Sequence, residues 1–267
     1  MPASSCLGHK NTGTSLSIME NSSLTCAKNR WVITISVMPA SFRLSSQLFS
    51  QAFWHGVLED ADLMRPMQAE FSKRSLDLES LREKADYNTG SVSAFSAWSL
   101  FLLCRYFRVL RAIEVGTFIG RSTVSIASAM NLNGGGEIHT CDLSNEIVVN
   151  QVPPTRILQY RKMTSTQMLT SLEGEFDFAF IDGRLDSTDI NRLAELLTED
   201  AILALDDFEG TEKGVANLFN LRSHPRFSSL FLVTPAGPEC AARVGLTSRS
   251  LVAILLPPAL ITLTNQG

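Results

Sequence analysis

The stretch Ala112-Ile-Glu-Val-Gly-Thr-Phe-Ile-Gly-Arg-Ser-Thr123 decides the fold of this chain. Its first residues are apolar and partly β-branched, as in a buried parallel strand. Gly116 lets the backbone approach a ligand closely, and Gly120 permits unusual dihedral angles before a helix that we expect to begin near Arg121. Because the first turn of such a helix offers free N–H groups to an anion, this arrangement predicts a site for a nucleotide-like ligand.

The spacing of the acidic residue and the glycines separates two kinds of cofactor. Glu114 precedes Gly116 by two positions and Gly120 follows four later, unlike the G-x-G-x-x-G spacing of dinucleotide-binding turns. The pattern E-V-G-T-F-x-G-x-S instead resembles the S-adenosylmethionine-binding motif of class I O-methyltransferases of the catechol and macrocin types. A weaker resemblance extends from about Tyr87 to Pro257. The motif therefore favours S-adenosylmethionine over NAD.

Composition narrows the class of protein and its partners. The chain has 267 residues, is 45% hydrophobic, and carries 23 Lys and Arg against 27 Asp and Glu. Without a long basic block, neither nucleic acid nor a membrane surface is an expected partner, and a small-molecule acceptor is. Five cysteines without C-x-x-C spacing predict neither a disulfide framework nor a zinc site, and they fit a reduced, cytoplasmic location. Self-association into a homo-oligomer is left open.

The chain is expected to have three parts. Residues 1–40 are rich in Ser, Thr and Asn, and we expect a mobile extension there. Helical patterns over residues 41–110 predict an N-terminal helical cap. Residues 111–267 are the expected S-adenosylmethionine-binding domain.

Strand and helix patterns alternate downstream of the glycine turn, which predicts a doubly wound α/β fold. The last two predicted strands are joined by a Pro- and Gly-containing connection without a clear helix. The resemblance implies a Rossmann-like methyltransferase sheet, mostly parallel with a reversed last strand, to which the N-terminal helices are added. The predicted strands after the turn are Glu137–Cys141, Ile157–Tyr160, Phe176–Ile181, Ala201–Leu205, Phe231–Thr234 and Leu251–Leu256.

Several residues are candidates for contact with the cofactor. Asp142 ends the second predicted strand, where an ionised carboxylate suits two ribose hydroxyls; its alternative is a helix cap. The resemblance implies adenine contact for Ser165 and methionine-end contact for Gly90 and Ser91, although all three equally fit the starts of helices. The full set of candidate cofactor contacts is Gly90, Ser91, Glu114, Gly116, Thr117, Gly120, Ser122, Asp142, Ser165 and Asp182.

Carboxylates follow two neighbouring predicted strands. Asp182 ends one strand, and Asp206 and Asp207 end the next, so a parallel sheet brings the three together. Clustered carboxylates repel one another unless a cation joins them, and oxygen ligands suit Mg²⁺ or Ca²⁺. The resemblance implies the same divalent-metal site. The alternatives are that Asp207 and Glu209 solvate a loop, or that Asp182 caps the next segment.

These features predict S-adenosylmethionine-dependent methylation of a small-molecule hydroxyl, with Asp182 as a catalytic residue and a divalent metal lowering the pKa of the acceptor hydroxyl. The catalytic base is unassigned, because the resembled families carry Lys or His shortly after this Asp and this chain does not. Arg184 stays protonated, but it is suited to binding an acidic acceptor. Asp186, Lys213 and His224 are alternative proton acceptors.

Two other functions remain open at this point. The missing Lys or His is compatible with a partner module that binds the cofactor without catalysis. An NAD-dependent oxidoreductase is the third hypothesis, because an acidic residue also ends the second strand of that fold.

Overall fold

The computed structural model describes residues 22–27, 30–37, 50, 53–54, 61–73, 91–144, 149–208, 213–246 and 251–265. Its strands are β1 (Ser22–Ala27), β2 (Arg30–Val37), β3 (Arg111–Val115), β4 (Gly136–Asp142), β5 (Thr155–Arg161), β6 (Phe176–Ile181), β7 (Leu197–Leu205), β8 (Phe231–Val233), β9 (Ala253–Leu256) and β10 (Ile261–Asn265). Its helices are α1 (Ala61–Ser72), α2 (Ala94–Tyr106), α3 (Arg121–Leu132), α4 (Ser165–Ser171), α5 (Ser187–Leu196), α6 (Lys213–Ser223), α7 (Pro225–Ser228) and α8 (Pro238–Arg243).

Seven strands form one sheet in the order β5-β4-β3-β6-β7-β9-β8. Neighbours from β5 to β7 run parallel, whereas β9 runs antiparallel to both β7 and β8. The chain starts in the middle with β3, builds outward to β5 and then returns to β6. In such sheets the carboxyl ends of the strands border a crevice where the strand order reverses. The predicted doubly wound sheet with a reversed last strand is confirmed.

The helix after the glycine turn begins at Arg121, as predicted. One connection differs from the expectation: α8 lies between β8 and β9, where the sequence indicated no clear helix. Pro238 occupies the first turn of α8, where a missing N–H costs no hydrogen bond. A six-residue helix is too short to show an apolar periodicity, which explains why the pattern concealed it.

Two apolar cores cover the two faces of the sheet. Helix α2 is buried on nearly every side and includes the apolar run Ala97–Cys104. Trp98 and Phe101 of this helix stack with their ring centroids 6.0 Å apart. Because a helix that is apolar all round must be covered all round, α2 belongs to the core. Within the described part of the chain, no helix combines the length and the hydrophobicity needed to span a bilayer.

A small second sheet joins the two ends of the described chain. β1 pairs antiparallel with β2, and β10 pairs parallel with β2. Both β1 and β2 lie within the segment 1–40 for which the sequence predicted a mobile extension. The division into extension, helical cap and cofactor-binding domain stays a prediction.

The glycine loop before β4 sets the register between β3 and β4. The N–H of Glu137 donates to the carbonyl of Leu110 at 3.0 Å, and Arg111 then pairs with Glu137. Gly136 has φ +146°, and a Cβ built on it would lie 2.0 Å from that Leu110 carbonyl oxygen. Since backbone cannot give way as a side chain can, this position requires glycine.

We expect Gly136→Ala to lower the free energy of unfolding by at least about 2 kcal/mol more than Gly134→Ala. Gly134 has φ +112° in the same loop but open space around its missing Cβ, so it controls for backbone strain alone. Urea unfolding of both variants measures the difference. Equal losses would show that the close approach at Leu110 does not limit the fold.

Candidate active site

Backbone hydrogen bonds continue past the strand ends and align the predicted site residues. The N–H of Gly116 donates to Cys141 O at 3.0 Å, that of Asp182 to Val115 O at 2.8 Å, and that of Asp206 to Ile181 O at 3.0 Å. These bonds connect the carboxyl ends of β4, β3, β6 and β7 in turn. The predicted site residues on these strands therefore meet at one edge of the sheet.

An open cavity of about 590 Å³ lies at this edge. Gly116, Asp142, Ser165 and Asp182 line it together with Arg184, and other lining residues include Leu143, Met163, Thr166 and Asp189. This volume lies within the range of small-molecule and cofactor pockets. Four predicted cofactor contacts thus share one cavity.

The turn after β3 is shaped by two glycines with left-handed backbone. Gly116 has φ +100°, and a Cβ there would lie 3.2 Å from the backbone carbon of Asp182. Gly120 has φ +79°, and its Cβ would lie 2.3 Å from Val149 Cγ2. Close packing against β6 and the segment before β5 therefore accounts for both glycines.

Asp142 ends β4, as predicted, and faces the turn. Its Oδ2 accepts the N–H of Phe118 and its Oδ1 accepts the N–H of Ser144, each at 2.7 Å. A carboxylate oxygen has two lone pairs, so both oxygens retain capacity for a ligand hydroxyl. Asp142 is thereby held in place at the cavity wall.

Other members of the motif lie behind the turn. Glu114 is fully buried, and its Oε2 accepts the Thr123 hydroxyl at 2.5 Å. The Thr117 hydroxyl lies 2.6 Å from that of Thr140. The described residues that line the cavity do not include four of the candidates, namely Glu114, Thr117, Gly120 and Ser122. Their contact with a cofactor stays a prediction.

The remaining nucleoside candidates have different surroundings. Ser165 lines the cavity, but Thr164 is the residue that caps α4, so the alternative interpretation of Ser165 as the N-cap is wrong. The Ser165 hydroxyl donates to Asp189 Oδ2 at 2.7 Å, a contact that the sequence analysis missed. Asp186 and Asp189 form a capping box at the start of α5, and this local spacing was the available signal. Ser91 is half-buried, and Gly90 lies outside the described residues.

Asp182 and Asp207 of the predicted metal site both form an ion pair with the side chain of Lys213. Lys213 Nζ lies 2.6 Å from Asp182 Oδ1 and 2.9 Å from Asp207 Oδ2. Asp207 has φ +50°, a left-handed conformation that Asp adopts more readily than most residues. Asp206 is 2% exposed, and its Oδ1 has no hydrogen-bond partner among the residues described.

Burial and neighbouring charges together shift the pKa values of these groups. Burial raises the pKa of Asp182 to about 7, although the Lys213 ammonium opposes the rise. Burial, followed by the charges of Asp182 and Asp207, also raises the pKa of Asp206 well above its ordinary value. Burial lowers the pKa of Lys213, but its two carboxylate partners outweigh that effect and raise it. Lys213 is therefore a protonated ammonium and is not suited to accepting a proton.

As arranged, Asp182, Asp206 and Asp207 do not fit a divalent ion. Two of the three carboxylates already contact Lys213, and Mg²⁺ requires near-octahedral oxygen ligation at about 2.0–2.1 Å. Over the described residues, no group of three or more His, Cys, Asp or Glu side chains has an arrangement able to hold a metal ion. The metal site inferred from the sequence thus has a lysine where the ion was expected.

The other two candidates for the catalytic base, Asp186 and His224, differ in their position relative to the cavity. Asp186 lines the cavity and accepts the N–H of Asp189 at 2.9 Å as the cap of α5. His224 caps α7, whose Arg226 donates to the carbonyl of Leu197. Leu197 begins β7, so His224 lies toward the opposite edge of the sheet from the cavity. His224 is therefore removed from the chemistry.

Residues 113–208 match a family model described as a methyltransferase domain. This part of the chain is a methyltransferase domain. The match begins in β3 and ends just beyond Asp207, so it includes the turn, Asp142 and the carboxylates. The predicted recognition of a methyltransferase is confirmed over these residues.

Three solved structures similar to this chain are 16–20% identical to it, and no curated protein matches the chain. Cofactor-bound Rv0187 from MTB is 20% identical over 69% of this chain and 89% of its own, with a TM-score of 0.47. The O-methyltransferase from Bacillus cereus in complex with SAH is 16% identical over 67% and 89%, with a TM-score of 0.47. The O-methyltransferase TomG from Streptomyces achromogenes, involved in tomaymycin synthesis and solved with SAM, is 16% identical over 70% and 95%, with a TM-score of 0.45.

The buried Glu114 of the methyltransferase domain predicts a pH-dependent stability. Burial raises the pKa of Glu114 from 4.5 to about 7, so the folded state holds a proton that the unfolded state releases above about pH 4.5. The free energy of unfolding therefore falls as pH rises from about 4.5 to about 7 and does not recover above. Glu114→Gln removes this effect. We expect its stability relative to the natural chain to be about 3 kcal/mol more favourable at pH 8 than at pH 4.

Urea unfolding of both proteins at the two pH values measures this change. Groups that are common to both proteins cancel in the comparison. A stability difference that is the same at pH 4 and pH 8 would contradict the shifted pKa of Glu114.

Proposed function

We propose that this methyltransferase takes its methyl group from S-adenosylmethionine and transfers it to an oxygen of a small molecule. The observation that carries the proposal is Asp142, fixed by two backbone N–H groups at the wall of a cofactor-sized cavity beside the Gly116 turn. An acidic residue in this position after the second strand of the fold suits ribose hydroxyls. The sequence motif Glu114–Ser122 supports S-adenosylmethionine in preference to NAD.

Two residues that line the cavity would contact the nucleoside of the cofactor. Asp142 would accept hydrogen bonds from the ribose, and Ser165, on the same wall, would lie toward the base. Gly116 also lines the cavity, so the backbone of the turn is within reach of a bound ligand. In the proposed arrangement, the reacting end of the cofactor would lie toward Asp182.

In the reaction, the acceptor oxygen attacks the methyl carbon as the carbon–sulfur bond breaks and its electron pair passes to sulfur. The products are S-adenosylhomocysteine, the methylated acceptor and the proton that the hydroxyl loses. The sulfonium is already activated, so the protein mainly aligns the acceptor with the methyl group. Asp182 lines the cavity and would accept a hydrogen bond from the hydroxyl.

The acceptor is proposed to carry an anionic group. Arg184 lines the cavity and is exposed, and its planar guanidinium has the geometry to bind an anionic group. A carboxylate or phosphate of the acceptor can form a two-bond contact with it. Arg184 occupies the region in which the resembled families carry their Lys or His, so here it favours recognition over proton transfer.

Isothermal titration with S-adenosylmethionine in EDTA tests cofactor binding. We expect saturable binding by the natural chain and about 10- to 100-fold weaker binding by Asp142→Ala, since hydrogen bonds to a charged group contribute about 1.5–3 kcal/mol. Glu199→Ala is the control, because Glu199 is exposed near the amino end of β7, away from the cavity. Absence of binding by the folded chain, or a signal with NAD instead, would contradict the assignment.

Transfer of a labelled methyl group to a panel of hydroxylated small molecules, with and without acidic groups, tests the reaction itself. Label in an acidic hydroxylated acceptor is the expected result. Cofactor binding without transfer to any member would favour the catalytically silent partner module.

A further inference from the structure

We infer that the Lys213 ammonium is the resident cation of the carboxylate cluster, so that this methyltransferase works without a divalent metal. The inference deepens the proposed function and rests on it. The cluster is defined here as Asp182, Asp206 and Asp207, which follow the adjacent strands β6 and β7. Lys213 bridges carboxylates from both strands, at 2.6 Å and 2.9 Å, which is the bridging that a metal ion would otherwise provide.

The start of α6 holds Lys213 in this position. A Cβ on Gly214 would lie 2.1 Å from Asp206 O and 2.9 Å from Asp207 O, so the first turn of the helix is packed directly against the end of β7. Three residues later, the buried Asn217 donates to Gly183 O at 2.7 Å and accepts the N–H of Leu185 at 3.0 Å. The helix is thus tied to both carboxylate-bearing segments, and Lys213 is the residue it presents to the cluster.

An ammonium in this place competes with a metal for the same oxygens. A divalent ion in contact with Asp182 Oδ1 and Asp207 Oδ2 would lie within a few ångströms of Nζ, where two positive charges repel strongly inside a protein. The Asp182 side chain is only 9% exposed, so its charge cannot be compensated by water alone. Lys213 supplies the compensation from within the chain.

Lys213 acts as a positioning residue through Asp182. Asp182 lines the cavity, and the ammonium contacts its carboxylate, so Lys213 fixes the orientation of the group that would receive the acceptor hydroxyl. The ammonium also balances the negative charge of the Asp182 carboxylate beside the site where the acceptor hydroxyl would lie.

Titration with Mn²⁺, monitored by the electron paramagnetic resonance of the free ion, tests whether Lys213 occupies the place of a metal ion. Lys213→Met and Lys213→Gln remove the ammonium and leave the carboxylates, and we expect them to bind Mn²⁺ at least about tenfold more tightly than the natural chain. Adding Asp182→Asn to either variant should abolish the gain, which locates the ion. Lys73→Met, which replaces an exposed lysine at the end of α1, is the matched control and should change nothing. Thermal unfolding shows whether each variant is folded. If one of the two Lys213 variants is not folded, the other is compared with the natural chain.

Equal Mn²⁺ affinity in the natural chain and the folded Lys213 variants, whether high or too low to measure, would overturn the inference. Tight binding of Mn²⁺ by the natural chain that is abolished by Asp182→Asn would also overturn the inference. Mn²⁺ binding is measured without cofactor or acceptor, whereas the proposed function fails if S-adenosylmethionine does not bind in EDTA. The two failures are therefore distinguishable.

Discussion

The site depends on the close approach of the turn after β3 to the end of β6. The Asp182 N–H reaches Val115 O at 2.8 Å, and Gly116 leaves no room for a side chain between the two segments. The same extension of the sheet ties Gly116 to β4 and Asp206 to β6. Because these bonds are made by backbone, Asp142 and Asp182 stand on one rigid edge before any ligand arrives. Preorganisation of this kind lowers the cost of aligning a cofactor with an acceptor.

That edge concentrates negative charge, and the rest of the site follows from how the charge is compensated. Asp142 is satisfied by two backbone N–H groups, whereas Asp182 and Asp207 share Lys213. Helix α6 is packed against the strand ends through Gly214, which allows its first residue to reach both carboxylates. The methyltransferase domain therefore carries its own counter-charge at the position for which the sequence had indicated a metal.

The fold could be predicted from sequence because its signals are local. The apolar run before Gly116, the start of α3 at Arg121 and the strand-ending Asp142 each lie within one element and its turn. The ion pair of Lys213 with Asp182 joins residues that are far apart in sequence, and nothing in the spacing of the two reveals it. The contact between Ser165 and Asp189 is likewise made between α4 and α5. The sequence pattern was therefore enough to predict the sheet. The contacts of the candidate site depend on how distant segments fold together, and the sequence pattern does not reveal them.

A crystal structure of the chain with S-adenosylhomocysteine tests the central claim most directly, because it shows which groups the nucleoside contacts. The account predicts the ribose hydroxyls within hydrogen-bond distance of Asp142, with the sulfur end directed toward Asp182. A nucleoside bound outside the cavity, or an Asp142 that contacts only Phe118 and Ser144 while the ribose lies elsewhere, would contradict it.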